Sequence, residues 1–334
     1  MFSYNWNIKD GYPAKGVEKH SKKVFSCFAC GGGSTMGYKL AGYDVIGNNE
    51  IDPRMMNVYR KNHHPRFSYL CDIRELIKRE DLPDELFNLD ILDGSPPCSV
   101  FSTAGQREKG WNKEKVFREG QKKQKLDDLF FYFIELAKKL QPKVVISENV
   151  SGLLKGNAKG YVKQIVNEFN NAGYITQLFL LNGATMGLPQ KRERCFFISQ
   201  RKDIYKKNIK LSFNDKLVPF GVCSDDEDKS NTLTPLFEKY WKSAKAGDAV
   251  GTFNSVRKCK LNDACNTITA SDNVYHPKYK RKLNKKELCL VGSYPLDYDF
   301  ENESPCYLIG MSVPPLMMAK ISYQVYNQIL KEEK

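Results

Sequence analysis

Between Val24 and Leu181, short apolar runs of strand length alternate with segments whose apolar residues recur at helical spacing, and this alternation restricts the fold more than any other feature. It opens with the run Val24 to Phe28, continues through the glycines Gly31 to Gly33 into a helical segment, Ser34 to Ala41, and reaches a second strand, Tyr43 to Asn48. A helix is predicted from near Pro53. Leu89 to Leu92 reads as a buried strand that leaves through Asp93, Gly94, Ser95, Pro96 and Pro97. Leu126 to Leu140 has helical periodicity and is stopped by Pro142. Val144 to Ile146 reads as a short strand, Tyr161 to Ala172 as a helix and Tyr174 to Leu181 as a strand. Such alternation predicts an α/β fold with a mostly parallel sheet covered on both faces.

The flanks behave differently. Residues 1–21 are polar and mixed, with Gly11 and Pro13, and read as an irregular leader. Beyond about Lys206 the alternation fails, and Leu211 to Lys260 is irregular, with the acidic cluster Asp225 to Asp228 and the aromatic group Phe237, Tyr240 and Trp241. Helical periodicity is expected to return only at Pro315 to Leu330. A chain of 334 residues accommodates one large domain and a smaller one, and 41% hydrophobic with 27% charged residues is ordinary for a folded protein.

Charge and cysteine usage narrow the partners. An excess of 52 basic over 39 acidic residues gives a net charge of +13, the electrostatic footprint of a protein that meets phosphate backbones. The ten cysteines are scattered, without repeated pair spacing or a signal peptide, so a reduced cytoplasmic setting is expected. Cys27 and Cys30 form the single Cys-x-x-Cys and lack a second ligand pair, so no metal is expected. No apolar run approaches the roughly 20 residues of a membrane span, and a soluble protein is expected.

Four segments carry chemistry. Phe28 to Gly33 lies where a strand passes into a helix, the place where backbone approaches a nucleotide-like ligand, and Glu50 follows the next strand where an acidic residue binds ribose hydroxyls. Asp72 suits an adenine amino group or, equally, a helix N-cap. Cys98 follows Pro96-Pro97 just past a strand end, in a setting that presents a thiol as a nucleophile. Glu148, in Glu148-Asn149-Val150, is expected at the same sheet edge, where it could assist nucleophilic addition as an acid. Arg192 and Arg194 precede the apolar strand Cys195 to Ile198, and alternation in a strand would place them on one face, where they could hold a phosphate or a carboxylate.

With these residues in their order, the sequence resembles the DNA (cytosine-5)-methyltransferases along almost its whole length. Phe28 to Gly33 looks like that family's cofactor loop, Pro96-Pro97-Cys98 like its nucleophile loop, Glu148-Asn149-Val150 like its Glu-Asn-Val motif and Gln190 to Arg194 like its Gln-x-Arg-x-Arg motif. Arg281-Lys282-Leu283 with Glu287, and Gly310-Met311-Ser312-Val313, look like its later elements. Ser26, Cys30 and Met311 depart from the aspartate, glycine and asparagine usual in the family. The resemblance implies a Rossmann-like S-adenosylmethionine-binding domain, residues 22–205 with 304–334, and a target-recognition domain, residues 206–303, whose variable part is about 206–261.

Further expectations come from the same resemblance. S-adenosylmethionine would be held by Phe28, Ala29, Gly31, Gly32, Gly33, Glu50, Ile51, Asp72, Ile73, Pro97, Leu129, Ser312 and Val313. Cys98 would attack C6 of a cytosine flipped from double-stranded DNA, Glu148 would engage N3 and the amino group, Arg194 the base carbonyl, and Arg192 the loop and backbone. The implied protein is a monomer of the cytoplasm or nucleoid, or of the nucleus if eukaryotic, with room for a cognate restriction endonuclease. A transfer-RNA cytosine-5 methyltransferase and a catalytically silent DNA-binding paralogue are the alternatives. A zinc cytidine deaminase is disfavoured because Ser99, Val100 and Phe101 follow Cys98 and no His-x-Glu occurs.

Overall fold

The computed structural model describes residues 1–97, 128–154, 158–251, 256–271 and 273–332. Cys98 lies outside the described residues. The elements run β1 (Lys23–Cys27), α1 (Gly33–Leu40), β2 (Asp44–Glu50), α2 (Pro53–His63), β3 (Phe67–Leu70), α3 (Ile73–Lys78), β4 (Ile91–Gly94), α4 (Leu129–Leu140), β5 (Val144–Val150), α5 (Ala158–Asn171), β6 (Tyr174–Asn182) and β7 (Glu193–Arg201). Then come α6 (Pro235–Ser243), the two-residue strands β8 (Arg257–Lys258) and β9 (Val274–Tyr275), α7 (Lys285–Gly292), α8 (Pro305–Met311) and α9 (Pro315–Val325).

Seven strands form one sheet in the order β3-β2-β1-β4-β5-β7-β6. β3 to β5 pair in parallel, whereas β7 runs antiparallel to both β5 and β6. This is the mostly parallel α/β sheet that the alternation predicts. The chain order reverses between β1 and β4, and in open sheets that switch point opens a crevice at the strands' carboxyl ends. One face buries Phe25, Leu92 and Val145 against α4 residues such as Phe133 and Leu136, and the other buries Val24, Ile91 and Ile146 in a cluster with Met317, Met318 and Ile321 of α9. Successive strand residues face opposite ways, so β1, β4 and β5 carry apolar residues on both faces, with polar residues toward their carboxyl ends.

Several expectations need correction. β5 continues past Ile146 to Val150, so Glu148, Asn149 and Val150 are the last residues of the strand itself. β4 stops at Gly94, which pairs with Ser147, so Glu148 projects one residue past the neighbouring strand. β7 begins at Glu193, leaving Arg192 in the preceding turn and removing the alternation that would have put it on one face with Arg194. Helix α6 interrupts the segment read as irregular, α7 and α8 also precede Pro315, and the last helix is α-helical only to Val325 before a π turn over Tyr326–Leu330. The leader forms one 3-10 turn, Ile8–Asp10, yet it is tied down. The Trp6 indole donates to the Ser293 carbonyl, and Asp297 accepts from the amides of Ile8 and Lys9.

Candidate active site

A cavity lies at the carboxyl ends of β1, β2, β3 and β4, where open α/β sheets bind their ligands. Its walls include Phe28, Glu50, Ile51, Asp72, Ile73, Pro97 and Leu129. A narrower recess adjoins it and is lined by Ala29, Gly33, Ser312 and Val313, with Phe28, Cys30, Ser95 and Met311 common to both. The structure thus brings eleven of the thirteen sequence-proposed cofactor residues to one place, leaving Gly31 and Gly32.

Those two glycines are required by protein packing. A Cβ on Gly31 would press on Leu308 and the Tyr298 hydroxyl, and one on Gly32 would overlap the His63 ring. The Gly31 carbonyl is held by the Tyr298 hydroxyl and lies 3.2 Å from His63 Nε2. Phe28 and Cys30 adopt left-handed backbone at φ 53° and 47°, a conformation that costs a residue with a side chain on the order of 1 kcal/mol or more. The Cys30 amide donates to Glu50 Oε2 at 2.7 Å, which fastens this turn to β2.

Glu50 is buried and accepts from three backbone amides, those of Cys30, Ile51 and Asp52. Burial raises its carboxyl above the ordinary range, and the three amides pull the other way. Three bonds leave its oxygens about one further acceptor position toward the cavity, which a ribose hydroxyl suits. Ile51 and Met311, two exposed large apolar side chains, stand on the cavity wall with Phe28, as a flat heteroaromatic ring requires. The residues therefore fit an adenosine-bearing ligand. Asp72 serves as the N-cap of α3, accepting from the Arg74 amide at 2.8 Å, and its oxygens also take the Arg74 guanidinium. Burial opposes its charge, but these bonds hold its carboxyl below the usual value. It lines the cavity in addition.

The second part of the site stands on β5 and β7. Glu148 is opposite Phe196, and Arg194, two residues earlier in β7, shares that face and reaches across diagonally. Arg194 Nε meets Glu148 Oε1 at 2.7 Å, with both side chains largely buried. Next to Glu148, Asn149 donates to the Pro96 carbonyl at 3.2 Å and so ties the loop that leads to Cys98 onto β5. Sequence reasoning gave Asn149 no task. Its place in the Glu-Asn-Val triplet was the available signal.

Arg192 turns elsewhere. It is 1% exposed, and its guanidinium donates to the carbonyls of Ile268, Gly310 and Ser312 at 2.8–2.9 Å. Burial, with Arg194 nearby, pulls its pKa well down from the ordinary value. Gln190 acts alongside it, donating to the Val291 carbonyl and accepting from the Ile268 amide. The Gln-x-Arg-x-Arg segment therefore divides its work: Gln190 and Arg192 hold the C-terminal segments to the sheet, and Arg194 alone meets Glu148. Arg281 and Glu287 form a second buried fastening, bidentate at 2.7 and 2.9 Å, with Glu287 completing a capping box with Asn284 on α7. Among the described residues, no group of three or more His, Cys, Asp or Glu side chains is placed to hold a metal, and no helix is long and apolar enough to cross a membrane.

Comparison with known proteins places this architecture. The family model for C-5 cytosine-specific DNA methylase matches residues 22–246. The Type II methyltransferase M.FnuDI of Fusobacterium nucleatum is 35% identical over 349 residues, covering 93% of this chain and 96% of that protein. M.DdeI of Desulfomicrobium norvegicum is 33% identical, covering 90% and 88%. Among solved structures, a prophage-encoded DNA modification methyltransferase from E. coli superposes with a TM-score of 0.72 at 19% identity, over 93% of this chain and all of that one. A DNMT2 mutant from Spodoptera frugiperda gives 0.66 at 16% identity, over 92% and 100%. On the family match and on relatives of this identity and coverage, the chain belongs to the C-5 cytosine-specific DNA methylase family and is a DNA (cytosine-5) methyltransferase.

Proposed function

We propose that the protein methylates C5 of a cytosine flipped out of double-stranded DNA, with Cys98 as the covalent nucleophile and Glu148 as the group that engages the ring. The observation that carries this reading is the Glu148–Arg194 pair beside a Pro96 carbonyl fastened by Asn149. Those contacts put a carboxylate, a guanidinium and the approach to Cys98 at one edge of the sheet.

Cytosine C5 is a weak nucleophile, so a thiolate must first add at C6 and push electron density toward C5. Cys98 makes that bond. Glu148 interacts with N3 and the amino group as charge builds on the ring, and Arg194 orients Glu148 and faces the base carbonyl. Phe28, Glu50, Ile51, Asp72, Ile73, Pro97 and Leu129 would hold S-adenosylmethionine, which would supply the methyl group to C5 and leave as the neutral thioether S-adenosylhomocysteine. Loss of the C5 proton then restores the ring double bond as the C6–S bond breaks and Cys98 leaves. Extrusion of the base costs a few kcal/mol, which contacts in the pocket offset.

Residues 206–303 read the DNA target in this proposal, with most of the variation in 206–261. The protein acts as a monomer in the cytoplasm, and the Type II names of its relatives suggest a cognate restriction endonuclease. The net charge of +13 supports contact with the phosphate backbone. Glu148→Gln keeps the shape but cannot transfer a proton. It is expected to slow single-turnover methylation of duplex DNA by roughly 10²- to 10⁴-fold with DNA and cofactor binding nearly intact. A near-normal rate would remove Glu148 from the chemistry.

A further inference from the structure

The residue before Gly94 on β4 carries a charge that the reaction described above does not use. Asp93 is 2% exposed and sits directly ahead of the loop to Cys98. Its Oδ2 accepts from the Ser26 hydroxyl at 2.6 Å, its Oδ1 from the Tyr38 hydroxyl at 3.2 Å, and the Ser34 hydroxyl also bonds to it. All three donors are neutral. Among the described residues, no Lys, Arg or His side chain forms an ion pair with it. A buried carboxylate without a cation is costly, and such a group ordinarily stays neutral or meets a cation when one arrives.

The surroundings indicate where a cation could come from. Asp93 lines the narrow recess, together with Ser26, Ser34, Ser95 and Ser312. That recess opens from the larger cavity, with which it has Phe28, Cys30, Ser95 and Met311 in common. The larger cavity is apolar along Phe28, Ile51 and Leu129, while the recess is polar with a carboxylate on its wall. A ligand filling both would place a flat ring in the first and a charged end toward the second. S-adenosylmethionine has that polarity, since its sulfonium and its α-ammonium are both cationic and lie at the end away from adenine.

We propose that Asp93 is a cofactor-affinity residue, supplying the negative charge that offsets the cationic end of the bound methyl donor. The proposal rests on the reading that the cavity takes S-adenosylmethionine. Burial pushes the Asp93 carboxyl up to about 7, against the pull of the Ser26 and Tyr38 hydroxyls and with a further push from Glu148. Among the described residues, the titratable groups that face it include Cys27 on β1, Tyr38 on α1, Tyr59 on α2 and Glu148 on β5, none of them cationic. Near neutral pH the group is therefore partly protonated, and a cation that favours the carboxylate displaces the proton. Affinity for the methyl donor should rise between pH 6 and pH 8, and binding near pH 7 should release a proton.

Calorimetry on the full chain at pH 6, 7 and 8, in buffers of different ionisation enthalpy, measures both effects without any variant. Asp93→Asn should abolish the proton release and weaken S-adenosylmethionine binding at pH 8 by roughly ten- to a hundredfold, as for a lost charge-assisted contact. S-adenosylhomocysteine lacks the sulfonium, and 5′-methylthioadenosine lacks both cationic groups. A loss confined to S-adenosylmethionine assigns the contact to the sulfonium; a loss for both amino-acid ligands, with methylthioadenosine spared, assigns it to the α-ammonium. The double variant Ser26→Asp/Asp93→Asn returns a carboxylate to the same recess and should recover most of the affinity. Equal weakening of all three ligands, or unchanged affinity and proton release in a folded Asp93→Asn protein, overturns the proposal. Failure of the wild type to bind S-adenosylmethionine would instead overturn the reading of the cavity.

Discussion

Replacing Asp93 by asparagine should change stability in a way that depends on pH, and the structure sets the size of the effect. The Asp93 carboxyl is pushed up to about 7 in the folded protein, against an ordinary value of 3.8. Between those values the native state binds more protons than the unfolded chain, so raising the pH drains stability from the wild type until it passes about 7. A gap of about three units is worth about 4 kcal/mol in full, and between pH 5 and pH 8 the change is about 2 to 3 kcal/mol. Asparagine cannot titrate. It keeps one acceptor for the Ser26 or Tyr38 hydroxyl and loses the other hydroxyl bond, at a pH-independent cost of about 1 to 2 kcal/mol. The variant should therefore be less stable or equal near pH 5 and more stable at pH 8. Urea unfolding of both proteins at unit steps from pH 5 to pH 9 gives the difference directly. A difference that stays constant across the series would refute the reasoning, because Asp93 would then not be a strained acid in the native state.

Two further outcomes follow from the buried contacts. Glu50→Ala removes the acceptor of the Cys30, Ile51 and Asp52 amides and should weaken S-adenosylmethionine binding by roughly ten- to a hundredfold in calorimetry; unchanged affinity would exclude Glu50 from the site. Glu287→Ala leaves the buried Arg281 guanidinium without its bidentate partner and should cost about 3 to 5 kcal/mol in urea unfolding, whereas a loss under about 1 kcal/mol would show that the pair contributes little.

Much of the architecture was legible because local patterns and global fold agree. Apolar runs such as Val24 to Phe25 and Ile91 to Leu92 are buried on both faces, a pattern that arises in a covered parallel sheet. The glycine turn after β1 and the acidic end of β2 were likewise readable, since a strand-to-helix turn must end near its ligand crevice. Other features depend on partners far apart in sequence. Arg192 lies two residues from Arg194, and only the start of β7 at Glu193 separates a buried fastening to Ser312 from a contact with Glu148. Ser26 and Asp93 are 67 residues apart, and their hydrogen bond exists because β1 and β4 are neighbours at the switch point. Gly31 and Gly32 signalled a close approach, but the approaching groups are Leu308, Tyr298 and His63, which no local pattern identifies. Periodicity also missed α6, α7 and α8, which are short and lie among irregular segments.

The central claim is that the chemistry runs through a covalent bond from Cys98 to cytosine C6. A duplex whose target cytosine bears fluorine at C5 tests it most directly, because that carbon then has no proton to lose and the adduct cannot resolve. Incubation of the wild type with this duplex and S-adenosylmethionine should give a complex that survives a denaturing gel, with the modified peptide containing Cys98 by mass spectrometry. Cys98→Ser should give none while still binding the cofactor. The same trapped complex with Cys98→Ser, or attachment at any other residue, would contradict the account.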